Sequence, residues 1–454
     1  MIPDFIRQEI EGSLKSLEYE KVIVLEETEN SDLLPVGKPS ELEFFERLFE
    51  PGGPSWKLYE DLGLGLSPTG SYMPVVGGRM YFCMNVIDKY IYSVGMKKKY
   101  DFKGNKLVRV RPINLDNILL LLSAPLDTFK HASSTVVTAF KTNEALKNFV
   151  KFSKESRKDW RTDFDDPLLV AEESLNKALK CMEFSFLSSI AYNLKIKLAD
   201  SAAWSECELG ELVDLLKGGD TKAAKERFGF YANNPYAISE ERFLEDESGL
   251  KRMANVPVPR NSYIRWRENS KFLAARYLAM RRFAYLGIAK ESKLDDLVFF
   301  LKTSELRDAK NNKTLAEQRK KKYATYLKLD LPAQLVLVDG KLVEGESDRQ
   351  IHGMPVAGEA RVTGKAVLVD SRSDFTKDLD GRILVSRTLS PELVEAYDKI
   401  IAVVSASGGA LAHSAVIARE MNLPCIVQTK NFEGIKEGAT LEVDGKTGLI
   451  NLTS

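Results

Sequence analysis

The residues best placed to do chemistry lie between Ser405 and Val427, in the stretch SASGGALAHSAVIAREMNLPCIV. An apolar run, Ile400 to Val404, leads into Gly408-Gly409, and a helical pattern from about Ala412 to Met421 follows at once. A strand that turns through glycine into a helix leaves backbone N–H groups facing outward at the positive end of the helix dipole. Such a turn is a ready anion site, and Ser407, Gly408 and Gly409 are its candidate phosphate contacts. His413 falls in the first helical turn. A neutral imidazole there is either a contact to a bound phosphate or a nucleophile that accepts a phosphoryl group. The plain alternative is a capped helix whose histidine packs. The small neighbours Ala410, Ala412, Ser414 and Ala415 favour an open imidazole, but spacing alone does not separate the two.

The elements that must hold this stretch read as alternating strands and helices. Ile383 to Ser386 is a strand, and Ser390-Pro391-Glu392 starts a helix with serine as N-cap and proline at the first position. Ile400 to Val404 and Pro424 to Val427 are the next strands, and Asn422 sits where a left-handed C-cap is needed. This alternation predicts right-handed crossovers and a parallel sheet core. Ala439 to Val443 and Gly448 to Ile450 read as a closing hairpin, and Glu359 to Val369 as a further β run.

Upstream, the chain reads as mostly helical from about His131 to Ala324. Leu273, Tyr277, Met280 and Ala284 share one helical face, a plain core stripe. Asp295 to Leu301 reads as extended, and the basic run Lys310 to Lys322 as a solvated helix face. Two short apolar runs around Gly77-Gly78 predict a β-hairpin. The pattern shifts near Leu331, where short β-like runs appear at Leu335 to Val338 and Lys341 to Val343. The expected division is a mostly helical domain over 1–335, a linker over 336–350 and an α/β domain over 351–454.

Bulk properties exclude some functions. At roughly 100–200 residues per domain, 454 residues predict two to four domains. Lys plus Arg and Asp plus Glu both number 65, so no global field draws the chain onto nucleic acid or an anionic membrane. Four scattered Cys and three His fit neither a disulfide framework nor a zinc site, so no metal is expected. The first residues lack an apolar core behind a basic start, and the longest apolar run, Ile118 to Leu122, is far too short for a bilayer. A cytoplasmic protein is the expectation. His131 and His352 match no motif and read as ordinary surface or loop histidines. The basic stretch Lys97 to Arg111 is more simply a solvated rim than a docking site.

The stretch around His413 resembles the phosphohistidine swivel domain of the PEP-utilising enzymes, the family of PEP synthase, pyruvate phosphate dikinase and rifampin phosphotransferase. The resemblance rests on Gly408-Gly409, Ala412-His413, Ile417-Ala418-Arg419-Glu420 and Leu423-Pro424. It extends to Ile383-Leu384-Val385 with Ser390-Pro391, and to Val443-Asp444-Gly445 with Gly448. Leu411 stands where the dikinases carry Thr, so control through that Thr is not expected. Asn422 and Gln428 each replace a Gly, the second without an evident reason. The earlier part is similar, more weakly, to the substrate-binding domain of rifampin phosphotransferase. That similarity lies at Leu48 to Tyr81, at the helix holding Arg267-Glu268 and at Leu294 to Leu306.

The resemblance implies a swivelling β/β/α phosphohistidine domain behind a mostly α-helical substrate-binding domain with a small β-hairpin. His413 is then the phosphoryl carrier. No candidate ATP-grasp domain and no pyruvate-binding barrel are read in the chain. ATP and Mg2+ are therefore expected on a separate ATP-grasp subunit, with no cofactor bound by this chain itself. The other partner is a small-molecule acceptor, with charge neutralised by Arg265, Arg267 and Arg276; no nucleic acid or membrane is expected. Arg419 faces away from His413 on a straight helix and reads as structural. Two alternatives stay open: a ligase subunit that activates a carboxylate by the same relay, and a non-catalytic regulatory protein that retains the fold.

Overall fold

Helix α7 (Ser262–Ser292) organises the helical part. Asn261 caps it, its side chain accepting from the N–H groups of Tyr263 and Ile264 at 2.9 and 3.4 Å. Every residue from Phe272 to Arg282 is buried, so the run is covered on all sides. The structure, a computed structural model, describes residues 2–13, 21–27, 34–61, 73–86, 99–103, 106–110, 142–156, 158–193, 207–256, 258–259, 261–329, 331–332, 334–343, 351–369, 372–389, 391–408 and 413–453. Ser390, Gly409, Leu411, His131 and the run from Ile118 to Leu122, all named above, lie outside these residues.

Preceding α7 in the chain are α1 (Asp4–Ser13), α2 (Pro39–Phe49), α3 (Pro54–Asp61), α4 (Pro167–Asn193), α5 (Glu208–Lys217) and α6 (Thr221–Phe228). Helix α4 packs along α7. Leu175, Ala178 and Cys181 of α4 share one core with Leu273, Tyr277, Met280 and Ala284, the stripe expected from spacing. Helix α8 (Lys313–Tyr326) buries only Ala316, so its basic run is the solvated face expected. Asp295–Phe300 is a 3-10 helix, not the extended run expected. Its apolar residues Val298, Phe299 and Phe300 are consecutive and all buried, so periodicity could not tell the two apart.

The first part holds more strand than the expected hairpin. That hairpin exists: β2 (Val75–Val76) and β3 (Arg79–Cys83) pair through Gly77 and Gly78, at φ +56° and +74°. It belongs to a five-stranded sheet in the order β2-β3-β1-β6-β7, with β1 at Val22–Glu27, β6 at Gln334–Val338 and β7 at Lys341–Val343. The β-like runs read at Leu335 to Val338 and Lys341 to Val343 are thus strands of this sheet, although residues 336–343 were expected in the linker. Strand β1 pairs antiparallel with both β3 and β6, joining segments more than three hundred residues apart. The basic stretch after Lys97 contains a separate two-stranded hairpin, β4 (Lys99–Lys103) with β5 (Lys106–Val110).

The last part is a closed barrel in the order β10-β11-β12-β8-β14-β13-β9. Its strands are β8 (Ile351–Ala357), β9 (Arg361–Leu368), β10 (Ile383–Ser386), β11 (Ala402–Ser405), β12 (Cys425–Lys430), β13 (Thr440–Asp444) and β14 (Leu449–Thr453). The expected parallel core is present as β9, β10, β11 and β12. Antiparallel β8, β13 and β14 close it, the last two as the expected hairpin. Ile383, Val385, Ala402, Val404 and Ile426 point inward with Leu441, Val443 and Ile450. Leu384, Val403, Cys425 and Val427 point outward onto a second core that includes Ala415 and Ala418 of the following helix. Burial on both faces explains why these strands read as unbroken apolar runs.

Candidate functional site

Strand β11 delivers the chain to Gly408, whose φ of +106° is open to glycine and strained for other residues. Helix α9 (His413–Glu420) begins five residues further on, with His413 as its first residue. Ser414, Ala415 and Ala418 of α9 are buried, which seats the helix against the outer face of the parallel strands. Its C-terminus closes with the N–H of Leu423 donating to Ala418 at 2.8 Å, while Asn422 takes φ +52°. This is the left-handed cap expected at Asn422. Arg419 donates from Nη2 to the carbonyl of Val356 at 3.0 Å, fastening α9 to β8. Its structural reading holds.

Ser407 is 7% exposed, and its hydroxyl donates to the carbonyl of Arg387 at 2.8 Å. Its main-chain N–H donates to the same carbonyl at 3.1 Å. The side chain expected to contact phosphate therefore anchors the turn to the end of β10. Ser414 mirrors it, donating to the carbonyl of Leu389 at 3.3 Å. The segment 387–389 thus grips the chain just before Gly408 and just after His413. Sequence reading missed this segment, because main-chain acceptors carry no residue signature. The expected helix after Ser390 is a short 3-10 turn, Pro391–Ala396.

Gln428 also takes a left-handed conformation, at φ +52°, where the register of β12 against β8 slips. This supplies the reason for a glycine at that position in the resembling family. Cys425 lies beneath α9, and burial pushes its thiol up to about 12, so it stays protonated and inert. Among the described residues, no group of His, Cys, Asp and Glu is placed to hold a metal ion, and no helix is long and apolar enough to cross a membrane.

The three arginines of α7 do not converge. Arg276 is 4% exposed, pairs with Glu208 at 2.8 Å and lies over the Phe230 ring at 4.5 Å. It holds α5 to α7 as a buried ion pair, neither a surface pair nor an open cation. Arg267 pairs with Glu268 at 3.2 Å. Arg265 donates to the carbonyl of Pro259 at 2.7 Å. It lines a cleft with Glu208, Glu211, Asp214 and Asp220, whose carboxylates disfavour a phosphoryl group. A second buried arginine, Arg281, donates to Glu43, Ser40, Tyr285 and Thr303. Its sequence signal is a charge set inside the apolar run from Leu278 to Ala284.

Residues 378–448 match the family described as PEP-utilising enzyme, mobile domain. The chain carries this mobile domain. The match takes in β10 to β13 and α9, the elements that position His413, together with the Gly408 turn. The chain is similar to the rifampicin phosphotransferase of Bacillus subtilis, 32% identical over 34% of this chain and 19% of that protein. It is similar to the phosphoenolpyruvate synthase of Pyrococcus furiosus, 35% identical over 19% of this chain and 11% of that protein. The chain thus covers a fifth or less of the length of these relatives. Among solved structures it is similar to an Enzyme I protein (nEIt), 12% identical over 68% of this chain and 80% of that one. The TM-score there is 0.18, too low to bear on the fold.

Proposed function

We propose that this chain is the carrier and acceptor-holding part of a phosphotransferase. A separate ATP-grasp subunit, with ATP and Mg2+, phosphorylates His413, and the mobile domain carries the group to a small organic acceptor held by the helical part. The observation that carries this reading is the position of His413. It opens α9 five residues after Gly408, inside the segment that matches the PEP-utilising mobile domain. The relatives named rifampicin phosphotransferase and phosphoenolpyruvate synthase support phosphoryl transfer as the class of reaction.

The chemistry balances in two steps. An imidazole nitrogen lone pair forms an N–P bond as the P–O bond to the nucleotide breaks, and the nucleotide leaves with that electron pair. An acceptor hydroxyl oxygen then attacks phosphorus, the N–P bond breaks with its electron pair returning to the imidazole nitrogen, and the hydroxyl proton ends on the released ring. Transfer of this kind depends on positioning and charge neutralisation more than on covalent assistance by the protein. The N–H groups at the start of α9 offer a fixed positive end to the phosphoryl oxygens during transit.

The test is an intact-mass spectrum at neutral pH of the chain incubated with ATP and an active ATP-grasp partner, beside His413→Ala. The expected result is one acid-labile phosphoryl group on the wild type and none on the variant. An unchanged mass, or equal labelling of the variant, would falsify the carrier role.

A further inference from the structure

The loop over residues 229–245, which follows α6, folds back on itself. The N–H of Phe243 donates to the carbonyl of Tyr231 and that of Leu244 to the carbonyl of Gly229, both at 2.8 Å. Its crown is pinned to α2, where Ser239 donates its N–H and hydroxyl to Glu41 at 3.2 and 2.6 Å. It is pinned to α7 as well, where Arg282 donates to the carbonyl of Ile238 at 3.0 Å. Arg242, within this loop, is 0% exposed. Its Nη1 donates to the carbonyl of Asn234 at 3.4 Å, while Nε and Nη2 meet no acceptor among the described residues. These two nitrogens form one edge of the guanidinium, a pair of parallel donors of the kind that grips a carboxylate or a phosphate. The carboxylates that act on Arg242 are engaged elsewhere. Glu245 takes Arg282 at 2.8 and 2.9 Å and the main-chain N–H of Arg242 at 2.9 Å. Glu41 holds Ser239, and Glu240 accepts from the main chain of Asn234. Burial, and then the charge of Arg282, pull the Arg242 guanidinium down to about 10, so it stays charged at neutral pH.

A buried charge with a pair of unmet donors is costly, and such donors are rare in folded proteins. We propose that the free edge of Arg242 binds a carboxylate of the small organic acceptor, which is therefore a carboxylic acid held under loop 229–245. This rests on the function proposed above, in which the helical part holds the acceptor. The carboxylate is a handle, separate from the hydroxyl that takes the phosphoryl group. Charge selects a carboxylate over a phosphate. Arg242 and Arg282 already share the field of Glu41, Glu240 and Glu245. A carboxylate adds one negative charge and offers two coplanar oxygens to the two N–H donors, whereas a doubly charged phosphate brings a second charge into a site crowded with carboxylates. The edge is covered in this structure, so the acid enters as the crown of the loop parts from α2.

The experiment titrates the full chain with formate, acetate and benzoate by calorimetry, beside benzamide as a neutral counterpart and inorganic phosphate as the competing anion. The wild type should bind at least one carboxylate one-to-one, gain melting temperature with it, and ignore benzamide. Arg242→Met should weaken that binding roughly ten- to hundredfold, the worth of a hydrogen bond to a charged group. Its ligand-free melting temperature should stay at or above the wild-type value, because an unpaired charge has left the core. Arg242→Lys keeps the charge without the fork and should bind at intermediate strength; it carries the test alone where the Met variant does not fold. Binding unchanged in the variant overturns the assignment. So does a wild type that binds none of the three carboxylates, takes benzamide as well as benzoate, or takes phosphate in their place. An Arg242→Met chain that folds but melts below the wild type without ligand also overturns it, because the arginine is then held by its own protein. The titration uses neither ATP nor a partner subunit, and His413→Ala should bind as the wild type does. Its failure therefore leaves the carrier role of His413 standing, and a His413 that takes no phosphoryl group leaves the carboxylate site standing.

Discussion

Arg281 of α7 and Glu43 of α2 form an ion pair at 2.5 Å, with the guanidinium side chain wholly withdrawn from solvent. Thr303 adds its N–H and hydroxyl to the same carboxylate oxygen, at 2.9 and 2.8 Å. The pair therefore ties α2, α7 and the 3-10 turn Thr303–Asp308 at one point. Removing one partner strands the other charge in the core. Arg281→Met should cost about 3–5 kcal/mol, read as a fall in the urea midpoint, and Arg281→Met with Glu43→Leu should regain much of it. A single variant as stable as wild type would show that the pair contributes nothing.

Asp444 closes the β13–β14 turn, accepting from the N–H groups of Lys446 and Thr447 and from Arg361 at 2.6 Å. The Arg361 guanidinium and these N–H groups hold its carboxyl down at about 2, below the ordinary 3.8. A depressed carboxyl contributes stability that is full above its ordinary value and is lost as pH falls through the depressed one. Asp444→Asn should thus melt below wild type at pH 7, and the gap should close between about pH 4 and pH 2. A gap that is constant with pH would assign the effect to shape and not to charge.

Gln428 holds an exposed left-handed conformation in β12. A side chain there carries a steric cost of about 1–2 kcal/mol, part of which glycine returns to unfolded-chain entropy. Gln428→Gly should raise the melting temperature modestly, and the β-branched Gln428→Val should lower it. The reverse order would remove backbone strain as the explanation for the substitution.

Ser414 is fully buried, and its hydroxyl ties the first turn of α9 to Leu389. Ser414→Ala should cost about 1 kcal/mol and speed amide exchange at the start of α9. Exchange unchanged there would mean that packing of Ala415 and Ala418 alone seats the helix.

Much of the barrel was legible because local signals agreed with one another. Asn422 at the helix end, the apolar runs at Ile383 and Ala402, and the glycine at position 408 each named their own conformation. The five-stranded sheet was not legible in the same way. Val22 to Glu27 pairs with Gln334 to Val338, and nothing local in either segment announces a partner three hundred residues distant. The site divided along the same line. The positive φ of Gly408 could be read from residue type, whereas the tether through Arg387 and Leu389 uses carbonyls that every residue possesses. Arg276 was misplaced because a charge on a long helix reads as solvated until both flanking faces are known to be covered.

Strand β7 ends one sheet at Val343, and β8 opens the barrel at Ile351. Eight Cα–Cα steps separate them (351 − 343), and fully extended chain gains at most about 3.3–3.6 Å per residue. On the proposed carrier reading, delivery from His413 is therefore delivery on a leash. Wherever the barrel turns, Ile351 stays within about 26–29 Å of Val343, and the barrel's own radius supplies the remaining reach. On the carrier reading proposed above, a donor and an acceptor served by this one histidine must both fall inside that circle, which would set how closely the proposed partner subunit has to dock.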